Sequence, residues 1–186
     1  MSALPTSKTE LLASLQAGAS YSYCYFWGHR KAKDGSITKS CLSQWWEASF
    51  EVDARKFRTA EHYMMFHKAA LFGDHEVAAQ VLEAPTPNEA KSLGRKVRGF
   101  NDAQWLEHRE EIVFTANWEK FTQNPALRSF LLRTAPDILV EASPVDAIWG
   151  IGAAADDPRA ADPAEWPGLN LLGFALVKVR ERLGSP

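Results

Sequence analysis

Thr59-Ala60-Glu61-His62-Tyr63-Met64-Met65-Phe66-His67-Lys68-Ala69-Ala70-Leu71-Phe72-Gly73 is the stretch that decides the fold class. Tyr63, Met64, Phe66, His67, Ala70 and Leu71 recur at steps of three and four, the period of one helix face, and Gly73 ends the run. The spacing predicts a helix with Thr59 as its cap. The chain before it has a different texture. Tyr21 to Trp27 is an aromatic run with Ser and Cys, a strand-favouring composition, and Gly28 with residues 31–35 reads as a loop. Ser43 to Phe50 carries Trp45, Trp46 and Phe50, and Ser49-Phe50-Glu51-Val52 alternates, predicting a second short strand that pairs with the first as a hairpin.

Downstream the helical texture continues. Val77, Ala78, Val81 and Leu82 share a face over Asp74 to Ala84, Pro85-Thr86-Pro87 stops it, and Asn88 opens another helix towards Arg98. Asp102 is placed to cap a helix reaching about Gln123, and Pro125 sits in the first turn of one carrying Leu127, Phe130, Leu131 and Leu132. Ile138-Leu139-Val140, bounded by Pro136-Asp137 and Ser143-Pro144, has the form of a buried strand. Ala153 to Pro167, with four acids and three prolines, reads as irregular loop, and Gly168 to Gly173 opens a terminal helix. Leu11, Leu12 and Leu15 mark a short peripheral helix over Ser7 to Gln16. Strands at both ends with helices between them predict an α+β fold: one compact domain, a small β-sheet with a helical layer. Residues 1–20 are expected to be a helical extension and 21–186 the domain proper.

The 186 residues are 46% hydrophobic, enough for one substantial core. A formal charge of -2 offers no global attraction to nucleic acid or an anionic membrane. Cys24 and Cys41 are too few for a disulfide scaffold, and no Cys/His spacing suggests zinc, so no metal and no cofactor are expected. The first residues lack the apolar run of a signal peptide and no segment is of membrane length, which gives the expectation of a soluble, cytoplasmic protein with no membrane partner.

Two carboxylates sit at element starts beside aromatics. Glu61 falls in the first turn after Thr59, where exposed N–H groups favour a negative charge; it either complements the helix dipole or stabilises a cationic sugar and activates water. Asp146, in Ser143-Pro144-Val145-Asp146, reads as part of a capping box, or as a second acid beside the aromatic face and close-approaching backbone of Trp149-Gly150-Ile151-Gly152. An acid and a base flanking a scissile bond are what cleavage of a bond to a sugar requires. Trp105 is either core or a stacking surface. Lys91 and Arg95, four apart on one helix face around Gly94, are placed to clamp a phosphate, whereas Lys96 and Arg98 fit a solvated face. His62 fits a scaffold role. No dinucleotide fingerprint, P-loop or acyl-transfer triad is present.

Taken together, several stretches are similar to the NADAR family, the YbiA-like N-glycosidases: Thr59-Ala-Glu61-His62-Tyr63-Met64, Lys91-Ser-Leu-Gly94-Arg95, Trp105, Lys120-Phe121-Thr-Gln-Asn124-Pro125, Leu139 to Gly150, and Asn170-Leu-Leu-Gly173. The resemblance implies a YbiA-like α+β domain without metal that hydrolyses the N-glycosidic bond between a ribose and a nitrogenous base. By motif, it implies Glu61 and Asp146 as catalytic acids, Trp105, Trp149 and Gly150 on the base or ribose, Lys91, Gly94 and Arg95 on the phosphate side, and Asn170 ordering the loop nearby. Riboflavin-type members show Trp-Gly-Asp-Gly and a short glycine/lysine-rich loop, where this chain has Trp149-Gly150-Ile151-Gly152 and the long acidic loop. That departure favours a larger substrate, ADP-ribosylated guanine in a nucleotide or nucleic acid, over a phosphoribosylamino-pyrimidine intermediate of riboflavin synthesis. A non-catalytic module that binds ADP-ribose or another NAD derivative is the alternative of a different class.

Overall fold

The structure is a computed structural model describing residues 4–184. The ends of the ranges expected from sequence, 1–3 and 185–186, lie outside the described residues. In chain order the elements are α1 (Lys8–Gln16), β1 (Tyr23–Phe26), β2 (Phe50–Val52), β3 (Arg55–Phe57), α2 (Ala60–Leu71), α3 (His75–Glu83), α4 (Pro87–Gly94), α5 (Asp102–Gln123), α6 (Pro125–Arg133), β4 (Ile138–Glu141) and α7 (Leu171–Gly184). This is an α+β fold. The chain forms two units, Gln44–Pro125 and the remainder on either side of it.

In the unit made of both chain ends, β1 and β4 run parallel, Tyr23 beside Ile138 and Phe26 beside Glu141. Ile138, Leu139 and Val140 are all fully buried, which is why β4 is an unbroken apolar run with no alternation. α7 packs on β4. Gly173 makes this approach feasible, because a Cβ there would run into the Leu139 carbonyl oxygen and the Asn170 carboxamide. Leu11 of α1 is fully buried in the same cluster as Ile138, Trp166 and Phe174, and Lys8 Nζ donates to the Trp166 carbonyl at 2.7 Å. The helix expected to be peripheral is therefore part of this unit's core.

The other unit packs α3, α4 and α5 against α2 beside a two-stranded hairpin of β2 and β3. Phe57 meets Tyr63 edge-on with ring centroids 4.9 Å apart, in a cluster with Phe50, Ala60 and Ala116. Gln123 at the end of α5 extends the hairpin: its amide donates to the Glu51 carbonyl at 2.8 Å and its oxygen accepts from the Glu51 N–H at 2.9 Å.

The expected β1–β2 hairpin is corrected. β1 pairs instead with β4, more than a hundred residues on, while β2 finds its partner across the two-residue turn Asp53-Ala54. Both turn residues have positive φ, 50° and 59°, as the tightest hairpins demand. Neither is the glycine or asparagine that advertises such a turn, and β3 was invisible for that reason. The acidic stretch after Gly152 is also better ordered than a plain loop. It holds two short 3₁₀ turns, and two of its acids are consumed as caps: Asp157 accepts from the Arg159 N–H and Asp162 from the Ala164 N–H, each at 2.9 Å.

Candidate active site

The predicted site residues fall in both units. In Gln44–Pro125, Thr59 caps α2 as expected, its hydroxyl accepting from the His62 N–H. His62 is a scaffold: it is 1% exposed, its Nδ1 meets the Thr59 hydroxyl at 2.8 Å, and its Nε2 meets the Ala84 carbonyl at 3.0 Å. A carbonyl can only accept, so Nε2 carries the proton and Nδ1 accepts from Thr59. With both ring nitrogens engaged, His62 has no capacity left for proton shuttling. Burial lowers its pKa against the opposing effect of the Ala84 carbonyl.

Glu61 is 2% exposed, and its N–H donates to the Gln44 carbonyl at 3.1 Å. Two helical turns on, and so on the same face of α2, stands Lys68. Its ammonium lies 4.4 Å from the Phe100 ring centre and 5.7 Å from that of Trp105. Burial holds the Lys68 pKa below its usual value; the Asp102 carboxylate opposes this, Arg95 reinforces it, and Glu61 opposes it. Glu61, Arg95 and Trp105 thus share the electrostatic neighbourhood of one partly buried amine. Lys91 instead places its Nζ 5.6 Å from the Trp45 ring centre. Gly94 serves packing, since a Cβ there would strike Met65 Sδ of α2. Arg98 is not merely solvated: its Nη2 contacts Asp74 Oδ1 at 2.6 Å and Glu76 Oε2 at 3.0 Å, tying it to the start of α3.

In the other unit, Asp146, Trp149, Gly150 and Asn170 form one hydrogen-bonded assembly. No helix follows Ser143, so the capping-box reading is corrected: Asp146 Oδ1 itself accepts from the N–H groups of Ile148 at 2.9 Å and Trp149 at 2.8 Å, closing a tight turn. The Gly150 carbonyl accepts from the Asn170 N–H, and the carbonyls of Ile148 and Trp149 accept from Leu171 and Leu172. The turn thereby satisfies N–H groups that the start of α7 would otherwise leave open. A Cβ on Gly150 would lie 2.7 Å from the Glu141 carbonyl oxygen, so the glycine permits a backbone contact with the end of β4. Asn170 is 0% exposed at φ 56°; its Oδ1 accepts from the Glu141 N–H and its Nδ2 donates to the Leu139 carbonyl, both at 2.9 Å. Its carboxamide thereby ties the start of α7 to the end of β4.

The chain belongs to the NADAR domain family. The family's model matches residues 25–184. An N-glycosidase, R617 of Acanthamoeba polyphaga mimivirus, is 41% identical over 164 residues, 86% of this chain and 95% of that protein. The N-glycosidase YbiA of Escherichia coli is 32% identical over 133 residues, 72% of this chain and 74% of its own, and its NMR structure superposes with a TM-score of 0.67 at 26% identity over 89% of this chain and 86% of that one. The chloroplastic riboflavin biosynthesis protein PYRR of Zea mays is 32% identical over 132 residues, 67% of this chain but 19% of that longer protein.

Reading this NADAR chain from its residues missed Lys68 and Gln44. Lys68 was findable, because seven residues after Glu61 is two turns along one helix face. Gln44 was not: its Oε1 is buried and has no hydrogen-bond partner among the described residues, a fact only folding reveals. Among the described residues no group of three His, Cys, Asp or Glu side chains converges as a metal site would require, and no helix is long and apolar enough to cross a membrane.

Proposed function

We propose that this NADAR chain is an N-glycosidase that cleaves the bond between a ribose C1′ and a base nitrogen, with ADP-ribosylated guanine as its substrate and Glu61 and Asp146 as its carboxylates. The chain is a hydrolase of N-glycosyl compounds: the C1′–N bond breaks with its electron pair going to the base, water adds its oxygen to C1′, and the base nitrogen gains a proton. The observation that carries the assignment is Glu61, an acid buried at a helix start in the electrostatic field of Lys68 beside the Phe100 and Trp105 rings. A carboxylate so held can face the positive charge that grows on the sugar as the bond breaks, or orient the attacking water. Asp146 orients the ribose hydroxyls, Trp105 and Trp149 hold the base or ribose at the scissile bond, and Lys91 and Arg95 take the phosphate nearest that ribose. Gly94, Gly150 and Asn170 act through the backbone they position.

A phosphoribosylamino-pyrimidine is the second reading, favoured by the likeness to PYRR, which is named for riboflavin biosynthesis. Base release followed by chromatography from both substrates separates the two. Glu61→Gln keeps the shape of the side chain and removes the charge; turnover on the preferred substrate is expected to fall by about 10³ or more. Full turnover in that variant would remove Glu61 from the reaction, and tight ADP-ribose binding without base release by the unmodified chain would make it a binding module.

A further inference from the structure

Beyond the carboxylates, the unit made of both chain ends bears an open cavity of about 500 Å³ at the carboxyl ends of β1 and β4. Its size lies within the usual range for small-molecule sites. Trp27, directly after β1, presents an indole to it that is 58% exposed, the most exposed aromatic ring among the large hydrophobic residues described. Thr38 and Ser40, whose hydroxyls lie 3.1 Å apart, flank Lys39 on the same wall. Ala154, Ala155 and Asp156, at the beginning of the acidic segment, also line it. That segment is fixed in place: the Ala160 carbonyl accepts from the Tyr25 hydroxyl and from the Trp166 indole, both at 2.9 Å. Ala142, the residue after β4, lines the cavity and lies four residues before Asp146, and the Ile151 N–H donates to the Glu141 carbonyl at 2.9 Å. The cavity therefore adjoins the turn that carries Asp146.

A flat, exposed indole beside an ammonium and two hydroxyls fits a base joined to a phosphate. Stacking takes the π-face of the base, and Lys39 takes the anion as a point charge. We infer that this cavity is a second subsite, which holds the adenylate half of an ADP-ribosyl substrate: adenine against Trp27, a phosphate at Lys39 with Thr38 and Ser40, and the adenosine ribose hydroxyls towards Asp156. The inference rests on the proposed function. It adds the residues that make the substrate an ADP-ribosyl adduct and not a phosphoribosyl one, since a phosphoribosyl group has no adenylate to place there.

The test pairs ADP-ribosyl-guanosine with a truncated adduct that carries only 5-phosphoribose. Trp27→Ala removes the stacking surface, Lys39→Ala the cation, and Ala155→Trp fills the cavity from an exposed rim position without entering the core. Each variant is expected to raise KM for the ADP-ribosyl adduct about tenfold, the size of one lost stacking or charge contact, with kcat unchanged and the truncated adduct unaffected. Unmoved KM values, or equal shifts for both adducts, would overturn the subsite. If the unmodified chain releases no base from either adduct, the proposed function fails, and calorimetry with AMP decides the cavity separately. Binding that disappears in Trp27→Ala and Ala155→Trp supports it, and absence of binding to the unmodified chain overturns it.

Discussion

Replacing Asn170 tests how the Asp146 turn is held. Asn170→Ala deletes both bonds of a fully buried carboxamide and leaves the Glu141 N–H and the Leu139 carbonyl without them. Each abandoned buried group costs about 1–3 kcal/mol, together about 2–6. Alanine must also adopt the left-handed φ of 56°, which adds about 1–2 kcal/mol. The sum, about 3–8 kcal/mol, corresponds to a fall in melting temperature of roughly 6–30 °C for a chain of this size. Asn170→Gly loses the same bonds but accepts the backbone angle. After subtracting glycine's extra freedom in the unfolded chain, about 0.5–1 kcal/mol, it should still be more stable than the alanine variant by about 1 kcal/mol. Urea unfolding followed by tryptophan fluorescence gives both numbers. Alanine equal to or better than glycine would refute the reasoning, because it would mean the left-handed angle is not imposed on residue 170.

Three further outcomes are expected. The Asp74 carboxylate, bound by the Arg98 side chain and N–H, has its pKa held far below the usual 3.8, so its contribution is complete above that value and lost as pH falls through the depressed one; Asp74→Asn should lower stability near neutrality, where that contribution is fully present, and flatten the acid limb of a stability–pH curve. His62, whose folded pKa is lowered from 6.5, takes up its proton more readily when unfolded, so unfolding free energy should decline as pH drops below about 6.5, and measurements from pH 7.5 to 5 that show no decline would contradict its buried, neutral state. Gly150→Ala forces a Cβ to 2.7 Å from the Glu141 carbonyl oxygen, a backbone atom with no easy retreat, and should cut base release about tenfold or more by displacing Trp149 and Asp146, read as kcat/KM beside a melting curve.

Much of this arrangement was legible before folding. The helix from Thr59, the cap at its start, the buried strand at Ile138 and the restart at Pro125 all follow from local periodicity and capping chemistry, which short windows contain. Strand pairing does not. β1 and β4 are joined by no turn signal, and Asp53-Ala54 makes a hairpin turn from residues that rarely announce one. Roles were harder than positions. Gly94, Gly150 and Asn170 stand out by motif as ligand contacts, yet what each does is allow or make a contact with the chain's own atoms, and that depends on what approaches from elsewhere in the fold. Asp157 and Asp162 carry the same lesson, as acids that read as loop charge and act as caps.

The two candidate carboxylates differ in how they are held, which bears on how they can be tested. The backbone of Glu61 is fixed by its N–H bond to Gln44 and by the Thr59 cap and His62 anchor beside it, so the turn does not depend on the carboxylate's charge for its position. Asp146 differs, because its Oδ1 closes its own turn through two N–H groups while the surrounding backbone is pinned separately by Asn170, Leu171 and Leu172. Asparagine at 146 retains an oxygen able to accept both bonds, whereas alanine does not. Asp146→Asn therefore reports on the lost charge alone and Asp146→Ala on charge and turn together, so the stability gap between them isolates the turn. If asparagine matched the unmodified chain in melting temperature and still lost base release, the carboxylate would act on the substrate and not on the fold.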